Sequence, residues 1–227
     1  TIVQLIARSK KPEILEKIID ALWQIQGGYA LTILSNDILI GIRDPSGIRP
    51  LILGKLDKSY ILTSETCALD IIGADYIRDI ENGEIVLIKE GNLESIKPFP
   101  AQPKRPDIFE YIYFARPDSL LEGQCAYEYR KNLGTQLSKE CDVQPDVIVP
   151  VPDSGVPAAL GYSQAKGIHF ELGLIRNHYV GRTFIEPSQN IRSLGVKLKL
   201  NANKSSIKGK IITLIDDSLV RGTTCHK

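Results

Sequence analysis

The sequence has no methionine, and its four cysteines, Cys67, Cys125, Cys141 and Cys225, form neither a CxxC pair nor the framework of a small secreted domain. The thiols are therefore expected to be reduced, ordinary core residues of a cytoplasmic protein. An excess of one charge is lacking too. Lys and Arg number 28 against 27 Asp and Glu, a formal net charge of +1, so no nucleic acid and no anionic membrane is expected as the main partner, and any polyanion site must be local. No apolar run approaches the roughly 20 residues that span a bilayer, and no charged-then-apolar leader opens the chain. With no Met anywhere, Thr1 running straight into a helical pattern, and Lys227 closing a loop that should lead into a helix, the chain is expected to be a fragment cut at both ends.

What is present suffices for an ordinary core: 227 residues, 43% of them hydrophobic, fit one large or two modest domains. Ile14, Leu15, Ile18, Ile19, Leu22 and Trp23 form a helical core stripe over residues 13–25, opened by Pro12 and Glu13 and stopped by Gly27 and Gly28. From Tyr29 to about Lys97 come short β-rich runs, GYALTIL, DILIGI, PLILG, SYILTS and GEIVLIKEG, broken by turn clusters such as SND and DPSG. This is the signature of antiparallel sheet. The proline-dense KPFPAQPKRPD, Lys97 to Asp107, can continue neither a helix nor a sheet interior and marks the boundary between residues 1–100 and 101–227. Beyond it, DVIVPVP, a helical VPAALGYSQAKG, FELGLI and KIITLI alternate apolar strands with helix, which predicts a parallel sheet covered on both faces.

In an open α/β sheet the ligand crevice lies beyond the carboxyl ends of the strands. Asp216 and Asp217 stand there, directly after the apolar run IITLI. Ser218, Leu219, Val220, Arg221, Gly222, Thr223 and Thr224 follow, offering backbone N–H groups, hydroxyls and a flexible glycine at the start of a helix, the ingredients of a phosphate cradle. Carboxylates suit sugar hydroxyls or a metal ion, so the pattern calls for a ribose 5-phosphate. The alternative is an aspartate pair that merely caps a helix.

PVPDSGVPAALG, Pro150 to Gly161, repeats the design: an apolar strand, a tight turn with Asp153, Ser154 and Gly155, then a helix whose N-terminus favours anions. It is a candidate pyrophosphate site, with Ser154 as an oxygen ligand for magnesium; either Asp153 or Ser154 could instead be a simple N-cap. Between the loops, RNHYVGRTFIEPSQNIR contains Arg176, Tyr179 and Arg182 around hinge-capable Gly181. It suits a closing lid with arginines for pyrophosphate, or else a solvated surface loop. His169 and His178 are taken as ordinary polar residues.

IITLIDDSLVRGTT resembles the phosphoribosyl pyrophosphate (PRPP) signature of type I phosphoribosyltransferases. EYIYFARPDS (Glu110 to Ser119), RNHYVGRTFI, VKLKLNAN and this loop occur in the order found in the amidophosphoribosyltransferase family, and upstream GGYAL, RDPSGIRPL and SETCAL agree with it. RDPSGIRPL alone is shared with other amidotransferases, but the set covers nearly the whole chain.

The resemblance implies a mixed α/β and α+β chain. Residues 1–100 would be the later part of an N-terminal-nucleophile type 2 glutamine amidotransferase domain, with layered antiparallel sheets and helices. Residues 101–227 would be the first part of a type I phosphoribosyltransferase parallel-sheet domain, up to and including the PRPP loop. The implied activity is that of a pentosyltransferase: ammonia taken from glutamine displaces pyrophosphate from PRPP, giving 5-phosphoribosylamine, glutamate and pyrophosphate at the committed step of purine biosynthesis. Asp216 and Asp217 would contact the ribose hydroxyls and, with Ser154, hold one Mg2+, while Ser218 to Thr224 grip the 5-phosphate. PRPP and glutamine would be the small-molecule partners, in a homo-oligomer, dimer or tetramer.

The family's glutaminase nucleophile and glutamine-binding residues would all precede Thr1, so no catalytic residue is assigned and the fragment is expected to be inactive alone. Thr1 could itself be an N-terminal nucleophile, but it opens a helix-like TIVQLIARS rather than a strand. Asp107 occupies the position of a cysteine that in some members ligates an iron–sulfur cluster, so no cluster is expected. A salvage phosphoribosyltransferase has no use for the β-rich upstream half. A PRPP-binding regulator should carry a basic face, and only Lys197, Lys199, Lys204, Lys208 and Lys210 approach one, more simply a solvated flank.

Overall fold

A computed structural model describes residues 1–179 and 199–219. The chain forms two compact units: Thr1–Glu110 with Leu120–Glu122, and Tyr111–Ser119 with Gly123–Lys227.

The first unit opens with helices α1 (Ile2–Arg8) and α2 (Ile14–Leu22). Strands β1 (Ala30–Ser35), β2 (Ile38–Arg43), β6 (Ile85–Lys89) and β7 (Asn92–Ile96) form an antiparallel sheet in that order. Strands β3 (Ile52–Leu56), β4 (Ser59–Thr63) and β5 (Asp75–Asp79) form a second, ordered β4-β3-β5, with helix α3 (Thr66–Ile72) between β4 and β5 in the chain.

The period-2 alternation of a strand explains the layering. In β6, Ile85 and Leu87 join Ile18 and Leu22 of α2 and Ile40 and Ile42 of β2, whereas Val86 faces Leu51, Leu53 and Ile80. One sheet thus buries both faces, one under α2 and one against the other sheet. Two glycines permit the close approach: a Cβ on Gly41 would lie 2.7 Å from Leu62 of β4, and one on Gly54 of β3 would lie 2.5 Å from Leu69 of α3. Of the predicted helical stripe, Ile18 and Leu22 are buried, but Trp23 is 58% exposed. It lies beyond the last helical residue, with its ring edge against Phe99.

The proline-rich stretch belongs to the first unit. Its few N–H groups bind the turn of RDPSGIRPL: Arg105 N donates to Ser46 O at 2.8 Å and Asp107 N to Ile48 O at 3.0 Å. The division therefore falls at Glu110/Tyr111.

A π-helical turn, Glu110–Phe114, and two short strands, β8 (Leu120–Leu121) and β9 (Gln124–Cys125), lead to helix α4 (Ala126–Glu140). In the second unit Arg130 of α4 donates to Tyr111 O at 2.7 Å and Ala115 O at 2.8 Å. Buried at that point, the guanidinium satisfies carbonyls that irregular backbone leaves open.

Helix α4 packs on α5 (Val156–Lys166) through glycines: a Cβ on Gly134 would sit 1.8 Å from Ala158 O, and one on Gly161 1.9 Å from Lys131 O. Strands β10 (Val147–Pro150) and β13 (Ile212–Ile215) pair in parallel, and Phe170 bridges Ile148 in parallel on the other side. Ile148, Ala159, Tyr162 and Ile215 form the core between α5 and this sheet.

FELGLI, expected as one strand of the parallel sheet, divides in two. After the Phe170 bridge, Gly173 N donates to Glu171 O in a tight turn, and β11 (Leu174–Arg176) pairs antiparallel with β12 (Leu200–Ala202). Gly173 permits this, because a Cβ there would lie 2.6 Å from Ile207 and 2.8 Å from Val149. A single helical turn, Lys204–Ile207, leads back to β13. No helix among the described residues is long and apolar enough to cross a membrane.

Candidate functional site

Parallel pairing in register, Pro150 opposite Ile215, ends β10 and β13 side by side. Two polar segments distant in sequence leave the sheet together: the turn Val151–Gly155 and the aspartates Asp216 and Asp217. Their backbones are joined, with Val151 N donating to Ile215 O at 2.8 Å. Gly155 N closes the turn on Val151 O at 2.9 Å, and α5 begins at the next residue. A Cβ on Gly155 would lie 2.4 Å from Ile215 O, so glycine is what lets the turn lie against the end of β13. The result is the N-terminus of a helix, the positive end of its dipole, beside two carboxylates.

The Asp216 side chain is partly withdrawn from water. Burial raises its carboxyl above the ordinary range; the Asp217 N–H lowers it, the Asp217 charge raises it, and the Lys199 cation lowers it, with a net upward shift. Asp217 N donates to Asp216 Oδ1 at 2.9 Å, and the Ser218 hydroxyl donates to Asp217 Oδ1. Two adjacent carboxylates, one of them desolvated, favour a hard cation or a set of hydroxyl donors. Among the described residues no group of three His, Cys, Asp or Glu could cage a metal by itself. The two carboxylates could supply part of the oxygen set of a hard cation such as magnesium, the rest coming from a ligand or water, as that ion commonly accepts.

A cation stands on the other side. Arg176, the last residue of β11, places Nη1 on the carboxylate of Asp153. Sequence reading groups Asp153, Ser154, Gly155, Arg176, Tyr179 and Arg182 in one loop-and-lid set, and Asp216 to Thr224 in another. The structure brings Asp153, Gly155 and Arg176 to the same sheet end as Asp216. Tyr179 is fully exposed and Leu219 is 77% exposed. Arg182 and Val220 to Thr224 lie outside the described residues, as does most of the predicted lid.

Lys199 was missed, being counted in a solvated lysine flank. It stands next to β12, where Asn177 N donates to Lys199 O at 2.7 Å and Arg176 pairs with Leu200, so the ribbon sets a lysine and an arginine at one end. The pairing of β11 with β12 spans more than twenty residues, and no local pattern announces it. Asp107 accepts from Arg49 Nη1 at 3.3 Å and from Phe109 N at 3.0 Å, an ordinary structural employment of a carboxylate.

No family model matches the chain. It is 54% identical to the amidophosphoribosyltransferase of Rhizobium etli over 231 aligned residues, covering 100% of this chain and 47% of that protein. To the amidophosphoribosyltransferase of Synechococcus elongatus it is 52% identical over 206 residues, 89% of this chain and 42% of that one. Among solved structures, the glutamine PRPP amidotransferase of B. subtilis complexed with ADP and GMP superposes with a TM-score of 0.89 at 43% identity, covering 98% of this chain and 49% of that one. The chain thus spans about half the length of the relatives it matches. In sequence and in fold the chain is similar to one part of the amidophosphoribosyltransferases.

Proposed function

We propose that the chain is the PRPP-binding portion, with part of the glutaminase portion, of an enzyme that converts PRPP, glutamine and water to 5-phosphoribosylamine, glutamate and pyrophosphate. The observation that carries this reading is the register of β10 and β13, which sets Asp216 and Asp217 beside the Asp153–Gly155 turn. A diphosphorylated sugar needs both features at once, carboxylates for its hydroxyls and an amide-lined turn for its leaving group.

Asp216 and Asp217 would orient the ribose hydroxyls and, with Ser154, hold Mg2+. The ion would neutralise charge on the pyrophosphate. The turn and Arg176 would hold the same group at its outer end. Ammonia then attacks the anomeric carbon from the face opposite pyrophosphate; the C–N bond forms as the C–O bond to pyrophosphate breaks, and the configuration inverts. Carboxylates near the ring favour the positive charge that develops there. Asp216 and Asp217 bind and polarise; neither is required as an acid or a base. The cysteines, which form neither a CxxC pair nor a secreted-domain framework, are in keeping with a cytoplasmic location.

Turnover provides the test. The full-length protein should release pyrophosphate from PRPP with ammonia as well as with glutamine. An Asp216→Asn, Asp217→Asn variant should lose both activities by about a hundredfold or more, the scale seen when preorganised charge is removed from a developing cation. Unchanged ammonia-dependent turnover in that variant would refute the assignment.

A further inference from the structure

Arg176 is preset by a partner of its own. Its Nη1 rests on the Asp153 carboxylate, with side chains 34% and 58% exposed. Its Nε, by contrast, is buried with no hydrogen-bond partner among the described residues. A buried N–H lacking an acceptor is uncommon in a folded protein and unfavourable, so it marks a place where an acceptor is expected. Asp153, between β10 and the N-terminus of α5, engages the other end of the same guanidinium, so the group stands directly against the turn.

A carboxylate and a phosphate edge are alike to a guanidinium: each offers anionic oxygens in a plane that matches the fork. We propose that Asp153 is a placeholder for the diphosphate, holding Arg176 over the turn in the ligand-free protein and yielding it to the incoming anion. This rests on reading the Asp153–Gly155 turn as the pyrophosphate site. The exchange has two consequences. Arg176 is positioned before the ligand arrives, which lowers the cost of ordering a long side chain. An anion must also displace Asp153 to claim it, and a diphosphate, with more anionic oxygens to offer the exposed end of the guanidinium, gains more than an anion with fewer. Asp153 therefore sets selectivity as well as affinity.

Calorimetric titration with inorganic pyrophosphate at fixed Mg2+ tests this on four full-length proteins: wild type, Asp153→Asn, Arg176→Ala and the double variant. Asp153 is exposed and Asp153→Asn is isosteric, so folding is not at stake. Freed of its competitor, Arg176 should bind pyrophosphate about two- to fivefold more tightly in Asp153→Asn, the range set by a half-exposed ion pair. Arg176→Ala should bind more weakly than wild type, and in that background Asp153→Asn should gain distinctly less. Equal gains in both backgrounds would reduce Asp153 to simple repulsion and overturn the proposal. So would weaker binding by Asp153→Asn, which would make Asp153 a support for the ligand rather than its rival. If Arg176→Ala binds as wild type does, or no protein binds pyrophosphate, the reading of the turn falls as well.

Discussion

Two buried acids show how single residues hold the first unit. Asp44, 1% exposed, accepts N–H bonds from Ser46 and Ile48 at 2.9 Å each, from Tyr29 at 3.3 Å and from Arg49 at 3.4 Å. One carboxylate thereby organises the whole turn of RDPSGIRPL. Asp44→Ala should cost about 3 kcal/mol in urea denaturation, because several N–H groups lose their acceptor in a place water does not reach. The sequence shows a turn there, but not that its aspartate is buried, since Asp is ordinarily a surface residue. Glu84 is similar. Burial opposes its ionisation, but the Arg78 guanidinium at 2.6 Å, the Ser95 hydroxyl and the Glu81 N–H outweigh burial and hold the carboxyl below its ordinary value of 4.5. A lowered folded value means that the contribution is complete above the unfolded titration and is lost as pH falls through the folded one. Glu84→Gln should therefore be less stable than wild type by about 2 kcal/mol at pH 7, and the gap should shrink when denaturation is repeated at successive pH values below 4.5.

Elements were legible where their local pattern was strong. The short apolar runs of β2 and β6, bounded by turn residues, and the apolar stripe of α2 follow from the sequence. The tie between α4 and α5 did not show. Gly134 and Gly161 look like weak points in helices, yet each faces the backbone of the other helix without room for a methyl group. In an open helix Gly→Ala stabilises by roughly 1 kcal/mol. Here the clash outweighs that gain, and Gly134→Ala or Gly161→Ala should each destabilise by about 3 kcal/mol, visible as a lower midpoint in thermal unfolding. A gain in stability would mean that the helices part at no cost. The run FELGLI was misjudged for a related reason: the break at Gly173 depends on side chains of β10 and of the Lys204–Ile207 turn, which no local window contains.

At the scale of the whole molecule, both loops could be recognised from sequence, each as a strand end with polar residues. Their adjacency could not, because Pro150 and Ile215 are separated by more than sixty residues and only the parallel pairing joins them. Lys199 illustrates the same limit, a lysine that composition assigns to solvent and that topology sets near a desolvated aspartate. The central claim is that the two strand ends form one site for a magnesium-bound sugar diphosphate. Calorimetry of PRPP binding to the full-length protein, with and without Mg2+, tests it most directly. The account predicts binding that strengthens with Mg2+ and that weakens by about tenfold or more, with most of the Mg2+ dependence lost, in Asp216→Asn, Asp217→Asn. Binding of unchanged affinity and unchanged Mg2+ dependence in that variant would contradict it.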